Sequence, residues 1–303
     1  MKVKVSVPAT SANVGAGFDA VGLALTLYNT VSFEENDFLE ISSADGVRVP
    51  RSENNLVYRS AKLLYQKAGR RMPGMRIVQT SAIPMARGLG SSSACIAAGL
   101  LGANSLLKEP FDRNELLNFA AEIEGHPDNV APALLGGLTA SVIQGGKVWS
   151  IKYDVEPSLC FAAVIPDYKL LTEAARAALP KTIPHRDAVY NLSRAALLPA
   201  AFCSGRHDLL PIATGDCLHQ PYRIPLMPGA NEVFAAAENC GACAVYVSGA
   251  GSTVMAVVEK KEADRFRSEL EKELIRLEGI DGCEAYDLRM LDADNRGASV
   301  TIE

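Results

Sequence analysis

Around residue 88 the sequence changes character twice in quick succession. Residues 75–81 read as a strand closed by Ile83-Pro84, and residues 91–107 read as a long helix made mostly of small side chains. Between them lies Gly88-Leu89-Gly90-Ser91-Ser92-Ser93. A helix rich in alanine and glycine lets neighbouring backbone come close, so this strand–loop–helix unit belongs in the interior of a mixed α+β domain.

The loop has the chemistry of an anion cradle. Gly88 and Gly90 can adopt positive φ and leave the backbone bare, so consecutive N–H groups can converge on a phosphate. The serines stand where the helix begins, adding hydroxyls to free first-turn amides and to the favourable end of the helix dipole. A serine at this point can also ligate the Mg²⁺ that bridges phosphates. A turn using glycine and a serine cap for structural reasons alone would share the bare G-x-G, but it would not need the small-residue helix behind it. No lysine follows as in a Walker A loop, and the third glycine of the dinucleotide fingerprint is missing.

Elsewhere residues 3–7 alternate like a half-buried strand ending at Pro8, and residues 8–19 read as a polar turn. Helical periodicity marks residues 55–68, and a second helix opens at Phe111-Asp112. After Gly136-Gly137, strand character resumes over 138–143. A fresh alternation follows: a strand at 160–165, helices at 172–179 and 187–202, strands at 244–248 and 254–258, and a charged amphipathic helix at 260–277. A chain of 303 residues with this pattern predicts two α+β domains, 1–155 and 156–303.

The bulk numbers exclude some functions. A net charge of −5 argues against a broad nucleic-acid footprint, and no apolar run approaches a membrane span. Seven cysteines, odd in number and scattered through apolar stretches, predict reduced thiols in a cytoplasmic protein. Cys240-Gly241-Ala242-Cys243 is formally a C-x-x-C. Without a second pair or histidine partners nearby, it reads as a lead-in to a strand.

Three ordered segments together resemble the GHMP kinase superfamily. They are Pro8-Ala9-Thr10-Ser11-Ala12-Asn13-Val14-Gly15-Ala16-Gly17-Phe18-Asp19, then Pro84-Met85-Ala86-Arg87-Gly88-Leu89-Gly90-Ser91-Ser92-Ser93-Ala94, then Val247-Ser248-Gly249-Ala250-Gly251-Ser252-Thr253. The wording is most similar to the branch that phosphorylates homoserine, through His126-Pro127-Asp128-Asn129, Asp187-Ala188-Val189-Tyr190-Asn191 and Tyr222-Arg223-Ile224-Pro225. The resemblance implies a two-domain fold, its N-terminal half like the second domain of ribosomal protein S5 and its C-terminal half ferredoxin-like. It implies ATP- and Mg²⁺-dependent phosphorylation of the side-chain hydroxyl of L-homoserine, and a homodimer.

It also implies roles for residues. The segment from Pro84 to Ala94 would hold the nucleotide, and Asn54-Asn55-Leu56-Val57-Tyr58 would wall the adenine. Homoserine is a zwitterion bearing a hydroxyl. Asp19 suits its ammonium, Arg176 and Arg223 its carboxylate through forked donors, and Asn13, His126 and Thr172 its remaining polar atoms. Ser92 and Glu122 are the expected metal ligands. By periodicity, however, Glu122 lies on a polar face with Glu115 and Asn118, whereas Glu124 shares the apolar face of Leu117 and Ala120. For catalysis, Asn129 stands where other family members place an aspartate base, and an amide cannot take a proton. That favours positioning by Asn13, with Asp128 as the rival base. Two alternatives stay open: a family member acting on mevalonate or a sugar, which would not need Asp19, and an ATP-binding regulator without turnover.

Overall fold

The computed structural model describes residues 1–279 and 283–303. In chain order its strands and helices are β1 (Lys2–Ala12), β2 (Val21–Asn36), β3 (Glu40–Ser43), α1 (Leu56–Lys67), β4 (Gly74–Ser81), α2 (Ser91–Leu106), α3 (Arg113–Glu124), α4 (Pro127–Leu135), β5 (Leu138–Gln144), β6 (Lys147–Tyr153) and β7 (Leu159–Pro166). They continue with α5 (Thr172–Ala177), α6 (His185–Cys203), α7 (Leu210–Ala213), α8 (Gln220–Arg223), α9 (Ala230–Asn239), β8 (Ala244–Val247), β9 (Val254–Glu259), α10 (Ala263–Leu277), β10 (Tyr286–Leu291) and β11 (Ser299–Ile302).

The strands form two sheets. Seven build the first, in the order β11-β1-β2-β4-β3, with β5 also on β2 and β6 on β5; four build the second, in the order β10-β7-β9-β8. Among the described residues only β3 and β4 pair parallel; every other ladder there is antiparallel. The proposed division near residue 155 falls between β6 and β7. β11 nevertheless returns to the first sheet, where Val3 faces Ile302 and the Lys2 and Glu303 backbones exchange hydrogen bonds of 3.2 and 2.8 Å.

Local chemistry explains the boundaries. Asn55 caps α1 by accepting from the Val57 and Tyr58 amides, and Asp112 opens α3 with a reciprocal capping box to Glu115. The first strand does not stop at Pro8 as the sequence suggested. The register of β1 on β2 shifts between Pro8 and Ala9, and a proline is tolerated at such an irregularity, so pairing continues to Ala12. Thr10 and Ser11, expected in a polar turn, are therefore fully buried strand residues.

Helix α2 lies in the interior, and its glycines are there for close approach. A Cβ on Gly99 would stand 2.3 Å from the Val57 carbonyl of α1, and one on Gly102 would stand 2.3 Å from the Phe33 ring of β2. This central helix points its N-terminus at the junction of the two sheets. No helix among the described residues is long and apolar enough to cross a membrane.

Candidate active site

The glycine loop leaves β4 and enters α2 through three left-handed residues, Ala86 (φ 55°), Gly88 (φ 76°) and Gly90 (φ 69°). Gly90 occupies the cap position of α2 and offers no side chain, so the first-turn amides stay open to a ligand. The loop is braced from behind. The Thr10 amide donates to the Leu89 carbonyl at 3.1 Å, the Ser248 hydroxyl to the Gly88 carbonyl at 2.7 Å, and the Thr253 amide to the Arg87 carbonyl at 3.2 Å. Arg87 reaches the second sheet, its Nε donating to the Pro166 carbonyl at 2.9 Å. Pro84, Ala86, Arg87, Gly88, Gly90, Ser91 and Ser92 face one cleft of about 400 Å³. Met85 opens instead to a neighbouring pocket, while Ser93 and Ala94 are buried, and the Leu89 side chain anchors the loop in the core.

The residues expected to bind the amino acid, and those weighed for catalysis, gather in that same cleft. Asn13, Asp19, His126, Asp128, Asn129, Thr172, Arg176 and Arg223 all line it. Asn13 and Asp19 sit on a turn with four non-helical positive-φ residues: Asn13 (70°), Val14 (45°), Gly15 (71°) and Asp19 (55°). Three of these are not glycine, and such backbone persists only where surroundings enforce it, most often at functional sites. The Asn13 amide does the enforcing: its Nδ2 donates to the Gly249 carbonyl at 2.7 Å, and its Oδ1 accepts from the Asp19 amide at 2.9 Å. Asn13 thus holds the turn, leaving one N–H for a ligand.

Asp19 and Arg176, assigned to opposite poles of a zwitterion, pair with each other here. Two parallel bonds of 3.0 and 2.8 Å join the guanidinium to the carboxylate. Arg223 is almost wholly buried and donates through Nη1 to the Gly249 carbonyl at 2.9 Å, while its Nε has no partner. Burial and the neighbouring Arg176 push the Arg223 pKa down to about 10, so it stays cationic at neutral pH. The His126 imidazole bonds through Nδ1 to Asp128, which raises the histidine pKa above its usual 6.5. Asp128 is 2% exposed, and Asn129 accepts from the Thr10 hydroxyl at 2.8 Å beside Gly90.

The two glutamates weighed for the metal lie in different places. Glu122 is exposed and pairs with Lys67 of α1 at 3.0 Å, outside the cleft. Glu124 faces the loop instead, accepting from the Ser92 hydroxyl at 3.1 Å and the Ser93 hydroxyl at 2.9 Å. Two residues along a helix rotate a side chain by about 200°, so only one of the pair can face α2. The periodicity of α3 selects Glu124. A hydroxyl and one carboxylate are hard oxygen donors that suit Mg²⁺, which is usually held by one or two carboxylates, water and the substrate's phosphates.

Beside the loop a second pocket of about 290 Å³ shares Ala86, Ser91 and Ser92 with the cleft, and Asn54, Asn55, Leu56 and Cys95 line it. Val57 and Tyr58, expected on the adenine wall, are buried in the core instead. Sequence reasoning also passed over Phe18 and His219, whose rings stack at 5.2 Å and 23° beneath Arg223. Nothing local marks them, since one stands in the turn after β1 and the other just before α8.

A strand–glycine-loop–helix phosphate cradle shared between two sheets, with a carboxylate beside its serine, defines a small-molecule kinase site. Residues 55–137 match the family model for the GHMP kinases N terminal domain, and residues 198–276 match GHMP kinases C terminal. The chain belongs to the GHMP kinase family. It is 44% identical over 305 residues to the homoserine kinase of Clostridium beijerinckii, covering 98% of both proteins. It is 43% identical over 300 residues to that of Caldicellulosiruptor saccharolyticus, covering 98% of this chain and 96% of the relative. The crystal structure of homoserine kinase from Cytophaga hutchinsonii superposes with a TM-score of 0.88 at 29% identity, covering 99% of this chain and 97% of that one.

Proposed function

We propose that the chain is a homoserine kinase, transferring the γ-phosphoryl group of ATP to the side-chain hydroxyl of L-homoserine and releasing O-phospho-L-homoserine toward threonine. The observation that carries this reading is the pairing of Asp19 with Arg176, with Arg223 near them over the same Phe18 ring, beside a phosphate cradle in one cleft. A zwitterion offers each partner of the ion pair the opposite charge that it now takes from the other. Mevalonate and sugars carry no ammonium, so neither could take the place of Arg176 at Asp19.

In this reading the α2 N-terminus and the loop amides hold the β- and γ-phosphates, and the adenine lies in the pocket of Asn54 and Leu56. Ser92 and Glu124 would hold Mg²⁺, which supplies neutralisation of phosphate charge. Asn13 keeps the acceptor turn rigid and directs its free N–H at the hydroxyl. Asp128 is tied to His126, and Asn129 cannot accept a proton, so alignment and charge compensation supply most of the rate, as a loose phosphoryl-transfer transition state allows. The enzyme is expected in the cytoplasm as a homodimer, which light scattering on the purified chain would read.

Coupled ADP release with Mg²⁺-ATP should show turnover with L-homoserine and none with mevalonate or galactose. Turnover of mevalonate or galactose without homoserine would overturn the acceptor and leave the nucleotide site standing.

A further inference from the structure

The cluster beneath the cleft has chemistry that the phosphoryl transfer does not itself require. His219 is fully buried, and its hydrogen bonds fix its tautomer. Its Nε2 lies 2.8 Å from the Gly15 carbonyl and 3.6 Å from the Asp216 carboxylate. Both are acceptors, so Nε2 carries the proton. Its Nδ1 then presents a lone pair, and the Arg223 Nη1 donates to it at 3.2 Å. Burial above all, with the adjacent Arg223, opposes a charge on the ring and outweighs the Asp216 carboxylate, which favours one, so the pKa falls below its usual 6.5.

The rest of the cluster is arranged to hold this ring still. The Asp216 carboxylate accepts from the His219 and Gln220 amides at 3.0 and 2.7 Å, and from Asn191 at 2.8 Å. Gln220 in turn accepts from the Val247 amide at 2.7 Å, fastening α8 to the second sheet. On its face the ring stacks on Phe18, the residue before Asp19. Arg223 and Arg176 lie near the same Phe18 ring, at 5.2 and 6.0 Å from its centroid.

We propose that His219 is a positioning residue that sets both poles of the amino-acid site. As a neutral acceptor it orients the Arg223 guanidinium for the carboxylate, and through Gly15 and Phe18 it holds the turn that presents Asp19 to the ammonium. This rests on the homoserine reading above. It makes acceptor affinity, not nucleotide affinity, the quantity His219 controls.

Two amide substitutions separate this role from simple packing. In His219→Asn the amide oxygen can stand near the position of Nδ1 and keep an acceptor for Arg223. In His219→Gln the amide nitrogen reaches toward the position of Nε2, keeping the Gly15 bond and losing the acceptor. Gln is closer to His in size, so packing alone would favour it. We expect His219→Gln to raise the homoserine KM on the order of 10–100-fold, the worth of a hydrogen bond to a charged group. The ATP KM should move less than about twofold, and His219→Asn should show the smaller rise in homoserine KM. A Gln variant as good as Asn, or an ATP KM rising in step, overturns the proposal. Nitrogen-15 histidine spectra of the unaltered protein give a reading that needs no variant: a neutral ring protonated on Nε2 is expected, and an imidazolium or an Nδ1-protonated ring refutes it. Homoserine turnover by the unaltered enzyme is measured alongside. Its absence sinks the functional reading, whereas its presence with equal Gln and Asn variants sinks only the role of His219.

Discussion

Gly88→Ala is the substitution whose outcome the loop geometry fixes most closely. A Cβ at this position would stand 2.1 Å from the Ser248 carbonyl oxygen and 2.8 Å from that of Gly251. Real Cβ atoms do not approach backbone oxygen closer than about 3 Å, so the two loops must separate by about 1 Å. A displacement of that size at a phosphate cradle typically costs about 10²-fold in rate. Backbone strain adds to this, because φ is 76° and an alanine there costs about 1–2 kcal/mol. Gly69 supplies the control: its φ is 67°, but nothing lies within 4 Å of its Cβ position, and it follows α1 away from the cleft. Both variants should lose thermal stability, by about 2–4 °C for each kcal/mol. Only Gly88→Ala should lose kcat/KM, measured by coupled ADP release on protein shown folded by circular dichroism. If Gly88→Ala turns over at the unaltered rate, or Gly69→Ala loses as much activity, the bracing of the loop by Ser248 is not what holds the cradle in place.

Glu124→Gln should lower kcat on the order of 10²-fold and raise the Mg²⁺ concentration for half-maximal rate, while Glu122→Gln, which loses only an exposed pair with Lys67, stays within about twofold. The reverse ranking in a Mg²⁺ titration would return the metal to Glu122. His126 has a folded pKa raised above 6.5 by Asp128, so its pairing stabilises the fold fully below the unfolded value of about 6.5 and is lost as pH rises through the folded pKa. Urea denaturation should therefore show a wider gap between the unaltered protein and His126→Gln at about pH 5.5 than at about pH 9. A gap that does not change with pH would show that the histidine is not charged in the folded protein.

What the sequence made legible was what is local. Asn55 and the Asp112–Glu115 box mark helix starts through bonds spanning three residues or fewer, and the loop's glycines announce their own backbone. Pro8 misled because its meaning depends on a register shift against β2, which no local pattern records. The first five residues of β2 are all buried, so a period of two is erased there. Glu122 against Glu124 is the sharpest case. Motif likeness pointed to one and helical periodicity to the other, and the geometry follows the periodicity because packing on α2 decides which face turns inward. His219 was illegible for a different reason. Its partner Gly15 lies 204 positions away, and a buried neutral imidazole leaves no charge pattern to notice.

The return of β11 to β1 has a consequence for synthesis. Lys2 and Glu303, joined by backbone bonds and a 2.8 Å ion pair, are 301 positions apart. The strand that leads into the Asn13–Asp19 turn is therefore made well before its outer partner and waits for it with one edge unpaired. Contacts that close so long a loop come at an entropic cost and tend to form late. A nascent chain can have its glycine loop and α2 assembled while β1 still lacks its outer neighbour. A ribosome stalled before β11 would hold a protein with both sheets begun and the first left open along that edge, a surface suited to chaperone capture or to unwanted strand pairing.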